Sequence, residues 1–364
     1  MTTFFRRNGP WIGLLLLVLM VTVLTSYLVD SPFLSSRNLT NLFRQAAING
    51  VLATGMTFVI LTGGIDLSIG SLVALTGVFV ALSQVRLGWD QSGAMGAWAS
   101  SLAGVGSGLV FGFLTGGMIA WLRIPPFVIT LGMMVIYRGV ALILTDGSGI
   151  QPVSESLRVL SEGYIEGWAC LLLLAGLAVG LILRYRKNWV DGVMPLLVFS
   201  GFAYAVYDYK GFPVPVLVLF LILLIGLFVL EGTVLGRSIY AIGSNDQAAY
   251  YAGVPVAKVK WLTYAIMGLM AGLGGLLLTT RLNSAVPTAG QLFELDAIAS
   301  VVIGGTSLKG GTGSVIGSFV GALTIAALNN GMDMLGVPSF YQMVFKGVII
   351  IAAVGLDRGQ RSRI

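Results

Sequence analysis

Five charged side chains sit inside otherwise apolar runs of this chain. Asp66 follows a Gly63–Gly64 pair, Arg138 lies in VIYRGVA, Glu294 and Asp296 in LFELDAIAS, and Lys346 in MVFKGV. A charge placed in hydrocarbon costs about 2.5–3.5 kcal/mol, so each needs a partner or a water-filled path. Either they line a polar conduit, or they are ion-paired or snorkel to the interface. Arg138 and Lys346 fit the second reading better. Glu294 and Asp296 can also cap a helix start. Asn329 and Asn330, with Asp333, end another apolar run. The candidate conduit is therefore Gly63, Gly64, Asp66, Glu294, Asp296, Gly304, Gly305, Asn329 and Asn330.

The missing residue types narrow the chemistry further. There is no histidine, which removes a Ser/His pair, a histidine metal site and a histidine proton relay. The one cysteine, Cys170, lies in an apolar run, so no disulfide framework forms. No Gly-x4-Gly-Lys-Ser/Thr phosphate loop occurs, so any nucleotide energy must come from another chain. No catalytic residue, metal site or cofactor is assigned to this chain.

The elements that would position these residues are membrane helices. Of the 364 residues 56% are hydrophobic and 10% charged, with a mean hydropathy of +0.92. Soluble proteins carry about 25% charged residues, so lipid must cover most of this surface. Stretches long enough to span fall at roughly 11–29, 46–62, 67–84, 96–121, 127–145, 168–183, 193–207, 214–230, 261–279, 293–307, 314–329 and 341–356. The segments 193–207 and 293–307 are short and can be re-entrant, which gives an all-α bundle of 10–12 spans in a single domain, 1–364. The first run is too long for a signal-peptide core and lacks a cleavage site, so it reads as the first span. With the N-terminus inside, thirteen Lys/Arg fall on inner segments and six on outer ones, with RYRKN (184–188) the best local anchor. Both termini are then expected in the cytoplasm. The outer loop 146–167 is acidic, a surface where a soluble partner can land.

Two stretches repeat: ILTGGIDLSIGSLVALTG (60–77) and VVIGGTSLKGGTGSVIGS (301–318). Each is an apolar run, a Gly-Gly break, a polar link and a Gly-Ser opening another run. Such pairs of glycine-broken helices point towards a substrate path, although ordinary glycine-rich hairpins give the same pattern. A second match, IPPF (124–127) with VPSF (337–340), is inverted in this topology and carries less weight. Glycines spaced by four, at Gly104, Gly108, Gly112 and Gly116 and again at Gly313, Gly317 and Gly321, mark packing faces within the bundle or across a dimer.

The longest inner segment, 231–260, is polar. Ser244, Asn245, Asp246 and Gln247 read as a capping box with Ser244 as the cap. Ala248, Ala249, Tyr250 and Tyr251 then form a helix of about two turns. Gly253 supplies a left-handed stop and Pro255 forbids continuation. So short a helix is marginal alone in water, and without basic residues on its face it does not suit a membrane surface. A socket on a cytoplasmic partner suits it better.

The segments GRSIYAIGSNDQAAYYAGVPVAKVK, TGGIDLSIGS, PTAGQLFELDAIASVVIGGTSLKGG and LNNGMDMLGVPSFYQMVFKGVIII resemble the permease subunits of bacterial sugar ABC importers, the ribose, galactose and xylose group. The extra pair of spans at 168–207 and the YDYKGFPVPVLVL that follows resemble the xylose-type members most. The resemblance implies a monosaccharide permease, for xylose or a related pentose, working by alternating access in the bacterial inner membrane. It further implies a homodimer, a separate ATPase holding ATP and Mg, a periplasmic or surface sugar-binding protein and no nucleic acid. The short helix at 244–255 would couple the ATPase to the bundle. An ion-coupled secondary transporter using Asp66, Glu294 and Asp296 is the rival, and nucleoside or autoinducer permeases are alternatives within the same family.

Overall fold

A computed structural model describes residues 2–29, 32–122, 124–186 and 189–361. Arg123, Lys187 and Arg363, used in the charge count above, and Asn188 of the RYRKN stretch lie outside the described residues. The first half of the chain contributes α1 (Thr2–Leu28), α2 (Ser36–Leu61), α3 (Ile69–Ala81), α4 (Gly93–Leu122), α5 (Pro126–Thr145), α6 (Glu155–Glu162) and α7 (Gly167–Tyr185). The second half adds α8 (Trp189–Asp208), α9 (Val214–Gly232), α10 (Val234–Ser244), α11 (Asp246–Tyr251), α12 (Val256–Leu282), α13 (Phe293–Ile303), α14 (Val315–Met334) and α15 (Ser339–Arg361). The one small sheet pairs β1 (Tyr164–Ile165) with β2 (Phe212–Pro213), antiparallel.

Among the described residues eight helices are long and apolar enough to cross a membrane: α1, α3 with its π-helical extension, α4, α5, α7, α9, α12 and α14. Three more, α2, α8 and α15, have 26, 20 and 23 residues. By contrast α13 has 11 residues, about 16 Å at 1.5 Å per residue. That is about half of the hydrocarbon thickness, so 293–307 does not cross on its own.

The start of α2 falls ten residues before the expected span. Ser35 caps it, its Oγ accepting from Asn38 N at 3.4 Å. Arg44 inside the helix is satisfied by Tyr164 Oη and the Ser161 carbonyl. A hydropathy reading starts the span after Arg44 because it cannot see those partners.

The helices α3, α12 and α14 are deeply buried, whereas α1, α5 and α7 are mostly exposed on the outside. The main core joins α2, α3, α4 and α12. Its closest seam is glycine on glycine: a Cβ at Gly108 would lie 2.8 Å from Gly272, and one at Gly112 2.8 Å from Gly268. The four-spaced glycines of α4 are thus spent within the bundle. So are Gly317 and Gly321, against Gly304 just after α13 and Ser300 within it. A second core, rich in aromatics, ties the α7–α8 pair to the rest. There Phe202 meets Phe43 at 4.6 Å and Phe212 at 5.4 Å.

Candidate functional site

Both Gly-Gly breaks are helix stops of one type. At the end of α2, Gly63 is left-handed (φ 76) and Gly64 N bonds back to Val59 O at 3.1 Å. After α13, Gly305 is left-handed (φ 86) and Thr306 N bonds to Val301 O at 3.1 Å. A residue after the helix that must adopt positive φ is best supplied by glycine. The second linker meets the end of the first helix, since Gly311 N donates to Leu61 O at 3.0 Å.

The inner segment closes on the same point. A Cβ on Gly243 of α10 would sit 1.8 Å from Leu61 O and 2.3 Å from Gly311 N. Tyr240 Oη donates to Gly313 O at 2.9 Å. Residues 236–244 are therefore helical, packed against the end of α2 and the linker after α13. This shifts the cap of α11. Because α10 continues through Ser244, the extended residue between the helices is Asn245 (φ −162, ψ 108). Its Oδ1 accepts from Ala248 N at 2.9 Å, while Ser244 Oγ donates to Tyr240 O within α10 at 2.9 Å. Asn245, not Ser244, is the N-cap.

The stop of α11 is where the sequence places it. Gly253 has φ 85, and Val254 N bonds to Ala249 O at 3.0 Å. Asp246 leans to Lys260 of α12 at 3.5 Å. Ala249 faces inwards, and Tyr250 and Tyr251 are 68% and 86% exposed. The helix thus presents two aromatic rings outwards from a rigid mount.

The conduit candidates separate into three groups. In the first linker Asp66 is buried, and its Oδ1 accepts from Ser68 N at 2.8 Å and Ser68 Oγ at 2.7 Å. Above it α3 begins against the loop that opens α13: a Cβ on Gly70 would lie 2.2 Å from Gly290 O and 2.4 Å from Glu294 Oε2. Glu294 thus stands against the first turn of α3, the helix that the Asp66 linker opens. Arg138 holds the same loop from α5, donating to Ala289 O at 2.8 Å. The hydroxyl of Tyr264 donates to Ile65 O at 3.4 Å, and Tyr137 Oη and Thr115 Oγ1 are 2.6 Å apart.

Asp296 belongs elsewhere. Its carboxylate pairs with Lys346 of α15 at 2.9 Å and shares a side-chain hydrogen bond with Asn329. The Oδ1 of Asn329 is buried without a partner. Asn330, one residue on, turns away and forms a reciprocal amide pair with Asn38 of α2, at 2.9 and 3.0 Å. Gly304 packs on Gly317. Sequence reasoning missed Gly70, Gly290, Gly243 and Tyr264. Gly70 and Gly290 are lone glycines whose need for space arises only from each other, so no local pattern marks them. A lone tyrosine in the apolar α12 was the one available signal.

Chemically, the start of α3 and the loop before α13 offer carboxylates, backbone groups and tyrosine hydroxyls, a set that can hydrogen-bond a polyhydroxylated solute. Among the described residues no cluster of Cys, Asp and Glu has the makings of a metal site.

Comparison with known proteins accords with this architecture. Residues 38–354 match the model of a family described as the permease component of the branched-chain amino acid transport system. The xylose transport system permease protein XylH of Haemophilus influenzae is 38% identical over 368 residues, covering 96% of each chain. XylH of Escherichia coli K12 is 37% identical over 363 residues, 95% of this chain and 91% of its own. The ribose import permease protein RbsC of Bacillus subtilis is 40% identical over 355 residues, 97% and 93%. No solved structure matches the chain. A glycine-seamed helical bundle with an internal polar junction, matched over nearly its whole length, is a transport component rather than an enzyme, and the chain belongs to this family of membrane permease components.

Proposed function

We propose that the chain, as a single permease domain over 1–364, is the membrane subunit of an ATP-driven importer that moves a pentose, xylose or a close relative, into the cytoplasm. The observation that carries this reading is the joint at Gly243. It seats α10, which runs into α11, on the end of α2 and on the linker after α13, and in this reading a push on Tyr250 and Tyr251 passes through it to the helix ends beside Asp66. An ion-coupled carrier has no use for such a lever. The names of the relatives share a pentose, and hydroxyl-rich solutes suit the acceptors at the junction. In this reading two copies pair in the bacterial inner membrane with both termini in the cytoplasm. A separate ATPase holding ATP and Mg receives α11, and a periplasmic binding protein delivers the sugar.

The test is sugar uptake into vesicles holding the permease with its ATPase and binding protein. Uptake should stop without ATP and survive an uncoupler; the reverse pattern would establish the ion-coupled carrier instead. Gly253→Leu should leave assembly intact and abolish uptake while ATP hydrolysis continues, because a left-handed residue other than glycine costs about 1–2 kcal/mol and undoes the stop. Normal uptake by that variant would remove α11 from the coupling path.

A further inference from the structure

The loop between α12 and α13, residues 283–292, lies against the first turn of α3, where a Cβ on Gly290 would meet Gly70 O at 2.5 Å. The polar groups of that turn are shut off, with Ser68 and Ser71 each 1% exposed.

Among the described residues three other than glycine have positive φ: Asp146, Asn283 and Leu292. Aspartate and asparagine tolerate this conformation because a short polar side chain can bond locally. Leucine has no such relief, and Leu292 is held at φ 66, ψ 7. Strain of this kind persists only where the surroundings enforce it. Leu292 is also the residue from which α13 starts, its carbonyl accepting from Asp296 N at 3.0 Å. Any relaxation there redirects the loop relative to the helix.

Two ties from other elements hold the loop. Ile150 and Ala285 exchange both backbone bonds, at 3.0 Å each, and secure its beginning. Nearer Leu292, one Nη1 of Arg138 donates to both Pro287 O and Ala289 O. Bonds from an ionised donor are about twice as strong as neutral ones. Arg138 stands on α5, a helix mostly exposed on the outside, so the tie comes from the periphery of the bundle and not from its core.

We propose that residues 286–292 form a gate over the start of α3, strained at Leu292 and latched by Arg138. While the latch holds, Gly290 stays on Gly70. When it is released, Leu292 relaxes out of the left-handed region, Gly290 withdraws, and the first turn of α3 opens to a passing solute. Arg138 is thus a positioning residue, acting through the loop. The gate rests on the reading that solute passes the start of α3.

A reporter cysteine, Ser71→Cys in a Cys170→Ser background, tests this in the full chain in detergent, by its rate of reaction with a small water-soluble methanethiosulfonate. Ala326→Cys, at a site equally buried in α14, is the control reporter. Labelling needs neither sugar nor ATP, so it is decided separately from uptake. Arg138→Met should speed labelling at position 71 severalfold and leave position 326 unchanged. Leu292→Gly should slow it about tenfold, the equivalent of about 1.4 kcal/mol, because glycine bears no left-handed penalty and the closed form gains. The double variant should return towards the wild-type rate. A purely structural arginine would not be rescued by a glycine, which only adds freedom to the loop. Faster labelling in Leu292→Gly, an unchanged rate in Arg138→Met, or an equal gain at position 326 would each overturn the assignment.

Discussion

The pairs α2–α3 and α13–α14 share a motif, a left-handed glycine and a backward bond from the next residue, yet their linkers behave differently. The first closes on itself, with Asp66 bonded to Ser68 two residues away. The second reaches outwards, with Gly311 donating to the end of α2 and Gly313 accepting from Tyr240. Their acids follow the same division. Asp66 is satisfied within its own linker, whereas Asp296 is tied across helices to Lys346. One copy of the repeat thus satisfies its acid locally, and the other is a structural joint. The difference came from the neighbours, since the local stop is the same.

The largest expected effect separates the two acids. Asp296→Ala strands Lys346, whose side chain is 19% exposed. Breaking one partner of a buried pair costs about 3–5 kcal/mol. Thermal unfolding in detergent should show it, with much of the loss recovered by adding Lys346→Met. Asp66→Asn keeps an acceptor for Ser68, so stability should change by less than about 1 kcal/mol while uptake falls. Equal destabilisation by the two variants would erase the distinction between the locally satisfied acid and the joint.

An intermediate effect separates the two breaks. At Gly304 an added Cβ would meet the backbone of Gly317 at 2.2 Å, whereas at Gly64 it would meet the Tyr264 hydroxyl at 2.6 Å. Gly304→Ala should therefore cost more of the about 1–3 kcal/mol typical of overpacking, because a helix must move where otherwise a ring can tilt. The same unfolding midpoints decide it.

The smallest difference should appear at the left-handed positions themselves. Gly63→Ala and Gly305→Ala have room, with 3.6 Å to the nearest atom in one case and nothing within 4 Å in the other. Each should cost only the conformational penalty of about 1–2 kcal/mol, and the two midpoints should coincide. A large gap between them would mean that the two stops are not equivalent.

The all-α bundle, the breaks at Gly63–Gly64 and Gly304–Gly305, and the stop at Gly253 were legible from sequence. Long apolar runs and glycines after helices act locally, and a local pattern is what a sequence displays. The same locality misled at Ser244: the capping box was plausible, but packing of Gly243 on Leu61 carries α10 one residue further and hands the cap to Asn245. Nor could sequence divide the conduit candidates. Asn329 and Asn330 are neighbours in the chain and point to different helices, and Asp296 finds Lys346 fifty residues away. By itself the sequence determined that the chain is a bundle of long apolar helices and placed the glycine stops at Gly63, Gly305 and Gly253, because those depend on hydrophobic length and backbone conformation. Only the tertiary structure decided which polar groups meet, because burial in a low-dielectric interior forces each to take whatever partner the packing brings within reach.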